Sequence, residues 1–178
     1  MSTGRLLLIT GLPGSGKSTL AQRLSQRYGV LLLSKDGIKE PLLDVLGADD
    51  AVHSRRLSDA SFAVLFALAR QVLSAARDVI LEGNFRPGEH ERLLTGLPAQ
   101  RIVQVLCRID EPTRLARIAR RRQVAQRHAG HGDADPAVKN AHAGDAFLEL
   151  AGERVTFDSR EAADARHLER LDRSWHGA

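Results

Sequence analysis

A glycine-rich segment near the N-terminus has the residue types and spacing of a phosphate-binding loop. Residues 11–18 read Gly-Leu-Pro-Gly-Ser-Gly-Lys-Ser, which fits the pattern G-x-x-x-x-G-K-[S/T] at every fixed position. In this pattern backbone N–H groups surround phosphate oxygens, the lysine reaches the β- and γ-phosphates, and the hydroxyl binds Mg²⁺. A simple tight turn would not need Lys17 and Ser18 at the start of a helix. The segment therefore predicts a nucleoside triphosphate site made by Gly11, Pro13, Gly14, Ser15, Gly16, Lys17, Ser18 and Thr19.

An acidic residue follows the next apolar run of the chain. Val30–Leu33 is followed by Asp36 and, three residues after that, by Lys39, which would share its face in a helix, so both are predicted to contact the acceptor. Because open α/β sheets bind ligands beyond the carboxyl ends of their strands, Asp36 is expected near the γ-phosphate. A carboxylate there can accept a proton from an attacking hydroxyl. The residues alone favour this catalytic role and a structural role equally. In the structural role Asp36 is the N-cap of a helix over Ile38–Leu46.

A second acid stands at the end of another short apolar run. Val79–Glu82 reads as a strand that ends in a carboxylate, the position from which such sites hold Mg²⁺ directly or through water. The usual residue is aspartate, so Glu82 is a looser match. Asn84 and Arg86 follow and are predicted to enter the same cleft on the acceptor side. Arg86 fits the description of an ordinary loop residue nearly as well.

An arginine-rich helix is predicted after the fourth apolar run, with Asp110 as its cap and Pro112 in its first turn. Its core-facing stripe is expected to contain Leu115, Ile118, Ala119 and, four residues after Ile118, Arg122. A guanidinium on a buried face needs an anion, which predicts that Arg122 contacts the triphosphate. The arginines expected to face solvent are Arg114, Arg117 and Arg121.

The polar stretch Ala129–Pro136 has no periodicity and contains two glycines, so it is predicted to be a loop. It follows Arg127 and His128, at the point where the arginine helix should end. A cationic helix that leads into a long loop suits a lid, over residues 121–140, that closes on the triphosphate. His128, His131 and Asp133 also permit a metal site, although no further ligand pattern supports it.

Five short apolar segments alternate with helical ones, which predicts a parallel sheet covered by helices. The strands are expected at Arg5–Thr10, Val30–Ser34, Val79–Glu82, Arg101–Ile109 and Arg154–Phe157. The clearest helix is Ser54–Arg77, whose apolar positions recur at helical spacing. Its Phe62 and Phe66 are interpreted as core residues, with a wall of the acceptor pocket as the alternative.

Length and composition indicate one globular domain over residues 1–178, with 43% apolar residues and no run near the roughly 20 apolar residues of a membrane span. The N-terminus lacks the pattern of a secretory signal, and the single cysteine, Cys107, makes no internal disulfide, so we expect a cytoplasmic protein without a membrane partner. The formal charge of +4 fits either nucleic acid or a triphosphate site. The 4% aromatic content leaves few platforms for stacking bases.

Together these segments resemble the small P-loop phosphotransferases, a group with polynucleotide 5′-hydroxyl kinases, gluconate and shikimate kinases, zeta-toxin-like kinases and chloramphenicol phosphotransferase. The chain is most similar to the AAA-type "predicted kinases" of that group, over residues 6–159. The family pattern is a glycine loop, an acid followed three residues later by a base, an acid-x-Asn and an arginine lid. Its matches here are Gly11–Thr19, Asp36 with Lys39, Glu82 with Asn84, and Arg121, Arg122 and Arg127.

The resemblance implies a P-loop NTPase fold with a five-stranded parallel sheet, helices on both faces and an arginine-bearing lid. It also implies ATP and Mg²⁺ as cofactors, with Asp36 as the general base, Lys17, Arg122 and Arg127 acting on the phosphates, and Ser18 and Glu82 at the metal. Lys39 departs from the usual arginine, and His128–His131 reads His-Ala-Gly-His where relatives often have His-Pro-Gly-His. The acceptor-side residues vary in the family, so the acceptor does not transfer with the resemblance.

The sequence thus favours a kinase that phosphorylates a hydroxyl of a small molecule, such as a sugar, nucleoside or antibiotic. A 5′-hydroxyl polynucleotide is the second choice, because aromatic residues are scarce. An ATPase or switch without an acceptor is the rival from another class, and a structural or interaction protein with a decayed site is a third. A GTPase is disfavoured, since no Asn-Lys-x-Asp occurs in the chain. The oligomeric state is not determined by the sequence.

Overall fold

The computed structural model describes residues 3–47, 50–123, 145–160 and 165–177, and the side chains of all of these except 121–123 and 165–167. Five strands and six helices lie in this part of the chain. The strands are β1 (Arg5–Gly11), β2 (Leu31–Ser34), β3 (Val79–Glu82), β4 (Arg101–Arg108) and β5 (Glu153–Asp158). The helices are α1 (Lys17–Tyr28), α2 (Lys35–Leu46), α3 (Ala51–Ser74), α4 (Glu91–Thr95), α5 (Glu111–Gln123) and α6 (Ala165–His176).

The five strands form one parallel sheet in the order β2-β3-β1-β4-β5. All five predicted strands are confirmed to within two residues at either end. β3 lies between β1 and β2, and its last residue, Glu82, is in register with Ile9 on one side and Ser34 on the other. The strand order therefore brings the phosphate loop after β1 and the acidic segment after β2 to either side of Glu82.

Helices cover both faces of the sheet, and the alternation of side chains along β1 shows how. Leu6 and Leu8 belong to a buried cluster with the apolar face of α3. Leu7 and Ile9 point to the opposite face and pack with residues of α1 and α6. Every one of these four leucine and isoleucine side chains is fully buried, which explains the continuous apolar run expected of a central parallel strand.

α3 is the long helix that the sequence predicts, but it begins and ends three residues earlier. Asp50 is its N-cap and accepts a hydrogen bond from the backbone N–H of His53. Its buried face includes Phe62 and Phe66, as predicted. By length and composition alone α3 passes as a membrane span, the only such helix in the part of the chain described. Its buried residues instead pack on the sheet, as in a core helix.

The C-terminal helix α6 closes the second face of the sheet. Trp175 is almost fully buried, and the Arg5 guanidinium lies 4.4 Å from the centre of its ring. The Tyr28 ring stacks on that of Trp175 at 5.7 Å, and its hydroxyl donates a hydrogen bond to Asp172. Burial and this hydrogen bond raise the pKa of Tyr28. The tail of the chain thus anchors α1 and β1, which carry the phosphate loop between them.

Candidate functional site

The predicted phosphate loop joins β1 to α1 and has the backbone geometry that its glycines allow. Gly14 and Gly16 have φ angles of 85° and 89°, in the left-handed region that favours glycine. The N–H of Ser15 closes a turn on the carbonyl of Leu12, and α1 begins directly after Gly16. The first turn of α1 contains no acidic side chain and no side-chain cap. Its N-terminal N–H groups and positive dipole end are therefore available to an anion.

The hydroxyl of Ser15 is a second sign that this loop accommodates a polar ligand. Ser15 is buried, and its Oγ has no hydrogen-bond partner in the described part of the structure. A Cβ atom on Gly11 would lie 2.4 Å from this oxygen, so only glycine fits at that position. Buried hydroxyls are normally paired, and a phosphate oxygen would supply the missing partner. The loop therefore fits the triphosphate that its sequence predicts.

Three predicted residues meet at the centre of the site. Glu82 is 1% exposed, and its Oε1 accepts a hydrogen bond from Ser18 Oγ at 3.1 Å. Lys17 Nζ lies 3.9 Å from the same carboxylate oxygen. The buried strand-end carboxylate and the buried loop ammonium thus form one cluster with the exposed loop hydroxyl of Ser18, as the sequence predicts.

Cys107 lies on β4 beside this cluster. Its carbonyl oxygen would be 2.8 Å from a Cβ atom on Gly11, so the two strands approach closely here. Burial raises the pKa of the Cys107 thiol to about 12, although the charge of Lys17 opposes the shift. The thiol is therefore protonated and inert at neutral pH, and Cys107 is a core residue.

Asp36 occupies the first turn of α2, directly beyond the carboxyl end of β2. The interpretation of Asp36 as a helix cap is wrong, because α2 begins at Lys35 and its N-cap is Ser34. Ser34 Oγ accepts a hydrogen bond from Gly37 N–H at 3.4 Å and donates one to Glu82 Oε2 at 2.6 Å. The Asp36 carboxylate pairs with Lys35 Nζ at 3.0 Å and is about one-third exposed. Asp36 is thus held at the rim of the site without being needed as the cap.

Lys39 is buried one turn further along α2. Its Nζ donates a hydrogen bond to Ser54 Oγ at 2.9 Å and so connects α2 to α3. Its predicted contact with an acceptor therefore stays a prediction. Asn84 follows Gly83 at the end of β3 and is half-buried, in the position that the acid-x-Asn pattern predicts.

Arg86 belongs to a ring of charges between α3 and the segment after β3. Its guanidinium contacts Asp59 at 2.8 Å and Glu89 at 2.9 Å. Arg55 contacts the same two carboxylates and closes the ring. Burial alone would raise the pKa of Asp59, but the hydrogen bond and charge of Arg86 lower it overall. The ring favours the loop-residue interpretation of Arg86, and its role in acceptor binding stays a prediction.

His90 lies below this ring in an aromatic cluster. Its ring centre is 4.1 Å from that of Phe62, and its Nδ1 accepts a hydrogen bond from the backbone N–H of Arg86. Burial, assisted by the charge of Arg86, lowers the pKa of His90 from 6.5 to about 4, against the opposing charges of Glu89, Glu91 and Asp59. His90 is therefore a neutral residue of the core, and it was not identified from the sequence.

The pKa of His90 predicts that stability falls as the pH is lowered from 6.5 towards 4. In this interval the unfolded chain binds a proton that the folded protein does not, so the free energy of unfolding decreases by up to about 3 kcal/mol. Urea unfolding at several pH values measures this loss. His90→Asn keeps an acceptor but does not titrate, so its stability should depend less on pH. Equal pH dependence in both proteins would contradict the prediction.

α5 packs against the phosphate loop with a different face from the one predicted. Asp110 caps it as expected, accepting a hydrogen bond from Thr113 N–H. The predicted core residue Leu115 is 41% exposed, and Ala119 is exposed as well. Ile118 and the backbone of Arg114 instead lie 3.0–3.1 Å from the Cβ position of Gly14. The predicted stripe is right for Ile118 and wrong for Leu115 and Ala119, because Gly14, which has no side chain, lets the helix dock through Arg114 and Ile118.

Arg117 was predicted to face solvent but lies over the start of α1. Its guanidinium donates hydrogen bonds to Ser159 Oγ at 2.8 Å and to the Ser159 carbonyl at 3.3 Å. A Cβ atom on Gly16 would lie 3.5 Å from this guanidinium. A cavity of about 200 Å³ opens beside it, lined by Gly16, Thr19, Leu20, Arg23, Arg117, Phe157 and Ser159.

The lid residues fall largely outside the described part of the chain. The backbone of Arg121 and Arg122 belongs to the last turn of α5, and their side chains are not described. Arg127, the loop Ala129–Pro136 and the alternative metal ligands His128, His131 and Asp133 lie outside the described residues. The contacts predicted for these arginines therefore stay predictions.

Comparison with known proteins gives a consistent family and fold. A family profile described as an AAA domain matches residues 6–136. A predicted kinase from Chloroflexus aurantiacus, of known structure, is 30% identical, with a TM-score of 0.84 over 97% of this chain and 98% of that one. The chain also matches curated relatives, which are uncharacterized proteins of Mycobacterium tuberculosis and Mycobacterium bovis. The match is 33% identical over 91 residues, and the chain spans 18% of the length of these relatives.

Two more distant structures share the fold. A sugar kinase from a Janibacter species has a TM-score of 0.61 at 15% identity and covers 98% of each chain. The APS kinase CysC of M. tuberculosis, solved in complex with AMPPNP and APS, has a TM-score of 0.59 at 17% identity, over 97% of this chain and 98% of that one. The five-stranded parallel sheet with its phosphate loop is therefore the α/β fold of P-loop kinases.

Proposed function

Since the chain belongs to the AAA domain family and has the fold of P-loop kinases, we propose that it is an ATP-dependent phosphotransferase with a hydroxyl acceptor. One observation carries this proposal. A continuous set of hydrogen bonds runs from Ser18 in the phosphate loop through Glu82 to Ser34, beside which Asp36 stands. These hydrogen bonds thus connect the phosphate site to the segment that carries the candidate base.

The phosphate loop supplies the charge that a transferring phosphoryl group needs. Lys17 and the N–H groups at the start of α1 would meet the β- and γ-phosphates. Phosphoryl transfer depends mainly on positioning and on neutralising charge at the phosphoryl oxygens. The largely buried Lys17 ammonium acts there with little screening by water.

The oxygen atoms of Ser18 and Glu82 suit a magnesium ion. A hydroxyl and a carboxylate are the hard oxygen ligands that Mg²⁺ takes in phosphate sites, and here they lie 3.1 Å apart. When bound, Mg²⁺ would neutralise charge on the β- and γ-phosphate oxygens. In the described part of the chain no group of three or more His, Cys, Asp and Glu residues stands ready to hold a metal, so the phosphates themselves would complete the coordination.

Asp36 would act on the acceptor. The acceptor oxygen attacks the γ-phosphorus, the bond from that phosphorus to the bridging oxygen of ADP breaks, and the hydroxyl proton passes to the Asp36 carboxylate. Lys35 contacts one oxygen of this carboxylate at 3.0 Å, and about one-third of the Asp36 side chain is exposed to solvent. In this proposal the catalytic base lies beyond the end of β2, and the nucleotide lies beyond the end of β1.

The nucleobase of ATP would occupy the cavity beside Arg117. This cavity adjoins Gly16 and Thr19, so a nucleotide whose phosphates lie in the loop reaches it directly. The planar guanidinium of Arg117 can stack on an aromatic base. Leu20 and Phe157 supply apolar surface on the remaining sides.

Arg117→Ala should raise the KM for ATP about 3- to 30-fold, because stacking of a cation on a ring contributes about 0.5–2 kcal/mol. The kcat should change less, since in this proposal Arg117 contacts the nucleobase of ATP and not the γ-phosphate. Steady-state kinetics measure both constants. Arg120→Ala, which removes an exposed arginine of the same helix, is the control. An unchanged KM in Arg117→Ala would exclude this cavity as the base site.

A small-molecule acceptor is favoured over a nucleic acid end. All seven aromatic residues of the chain lie in the described part, and most of them are buried in the two cores. The two that are partly exposed, Tyr28 and Phe147, already contact Trp175 and Arg154. Binding of single-stranded nucleic acid normally uses exposed aromatic rings on which bases stack.

A transfer assay tests the proposed function. Sugars, nucleosides, antibiotic-like alcohols and 5′-hydroxyl oligonucleotides are incubated with γ-labelled ATP, Mg²⁺ and the protein, and label on the acceptor is separated from free phosphate. We expect label on a small molecule. Label on the oligonucleotide alone would establish the polynucleotide kinase. Release of free phosphate with every acceptor would support the rival P-loop ATPase and overturn the proposal.

A further inference from the structure

We propose that Ser34 is a positioning residue that couples the phosphate side of the site to the acceptor side. Its hydroxyl donates to Glu82 Oε2 at 2.6 Å and accepts the Gly37 N–H at 3.4 Å. The same oxygen therefore contacts the carboxylate of the phosphate cluster and the first turn of the helix that carries Asp36. The inference rests on the proposed function, in which Asp36 is the base.

The sheet explains why residue 34 can make both contacts. Ser34 is the last residue of β2 and is in register with Glu82 on the neighbouring parallel strand. Side chains in register on parallel strands lie on the same face, which places the two groups within hydrogen-bond distance. α2 begins at the very next residue, so Ser34 is also the N-cap. Only a small side chain that both donates and accepts satisfies both partners.

Loss of the Ser34 hydroxyl should therefore act at two places. Glu82 is almost fully buried, and its Oε2 would lose its hydrogen bond from Ser34. The first turn of α2 would lose its cap, and Asp36 would move relative to the phosphate loop. Since a misplacement of about 1 Å can cost about 10²-fold in rate, a small movement of the base is enough to lower kcat.

Ser34→Ala and Ser34→Thr test this coupling. We expect Ser34→Ala to lower kcat about 10- to 100-fold with little change in the KM for ATP, and Ser34→Thr, which keeps a hydroxyl, to retain most of the rate. Ser61→Ala removes a buried hydroxyl that donates to the Leu57 carbonyl of its own helix, and it should leave kcat near the wild-type value. A normal kcat in Ser34→Ala would overturn the proposal.

A double variant separates positioning of the base from an effect on the metal. If Ser34 acts through Asp36, adding Ser34→Ala to Asp36→Asn should lower kcat by less than twofold more. Two outcomes would show that Ser34 acts through Glu82 alone and would overturn the coupling. One is a double variant in which the rate losses of the two single variants multiply fully. The other is a rate loss in Ser34→Ala that excess Mg²⁺ restores.

A measurement without an acceptor keeps the inference apart from the proposed function. In Ser34→Ala, but not in Ser34→Thr, hydrogen exchange of the amides in the first turn of α2 should become faster, because that turn has lost its cap. Unchanged exchange there would overturn the inference even in an active enzyme. Wild-type protein that transfers no phosphate would instead contradict the proposed function, whatever the exchange result.

Discussion

Lys17→Ala is expected to abolish most activity while the protein stays folded. The substitution removes the ammonium that meets the β- and γ-phosphates, which should weaken ATP binding about 10- to 100-fold, since a hydrogen bond to a charged group contributes about 1.5–3 kcal/mol. The kcat should fall about 10²–10³-fold, the loss that follows removal of one donor to developing charge. Calorimetric titration with a non-hydrolysable ATP analogue and steady-state kinetics measure the two effects.

The buried position of Lys17 determines the control for this experiment. Lys17 lies 3.9 Å from the almost fully buried Glu82, so its loss also removes a counter-charge. Lys17→Met retains the length of the side chain and keeps the test valid if the alanine variant unfolds. Arg27→Ala removes a charge at the other end of the same helix, where Arg27 pairs with Asp172, and should bind ATP normally. A folded Lys17 variant with unchanged ATP affinity would contradict the assignment of the phosphate site.

The sequence predicts the central part of the fold well because the local signals there are strong. A buried strand, a glycine loop and a helix that begins with Lys17 and Ser18 leave little freedom, and the structure confirms this unit. Glu82 could be identified as a strand-end acid and, from the resemblance, placed with Ser18 at the metal, but its hydrogen bond with Ser34 could not be predicted. Only the strand order, with β3 between β1 and β2, brings Glu82 against Ser18 on one side and Ser34 on the other.

The start of α2 shows where local signals mislead. Gly37 is a poor helix former, which favours a helix that starts only at Ile38 with Asp36 as its cap. In the structure the helix begins at Lys35 and includes Gly37. Ser34 becomes the cap because its side chain is already fixed by Glu82, a contact between residues 48 positions apart. Tertiary contacts of this kind cannot be read from local propensity.

The face of α5 that the sequence predicts is right only at Ile118, for a related reason. Arginine and apolar residues alternate along this helix, and periodicity alone cannot tell which face docks when the surface it packs on is a glycine loop. The close approach of Ile118 to Gly14 decides the orientation and brings Arg117 over the site.

For α6 a signal was present in the sequence. Leu168, Leu171 and Trp175 have helical spacing, and all three pack in the core of the second face.

Asp36→Asn is expected to lower kcat with the true acceptor about 10²–10⁴-fold, the usual contribution of a general base, with hardly any change in ATP affinity. The reason is geometric. Asp36 stands beyond β2, and the nucleotide loop follows β1, with β3 and Glu82 between them. Asparagine keeps the shape of the side chain but cannot accept the proton. Single-turnover transfer to the acceptor and titration with an ATP analogue measure the two quantities separately.

Stability must be followed in the same variant, because Asp36 has a structural partner. Its carboxylate pairs with the buried ammonium of Lys35, and its charge lies at the positive end of α2, where an acid contributes about 0.3–1 kcal/mol. Lys35→Met combined with Asp36→Asn removes the unpaired ammonium if the single variant is too unstable to assay. Asp44→Asn, at the far end of the same helix, controls for loss of an acid. Because Ser34 is the cap, a folded Asp36→Asn protein that transfers phosphate at the normal rate would leave Asp36 without a catalytic role, and the base would have to be sought elsewhere.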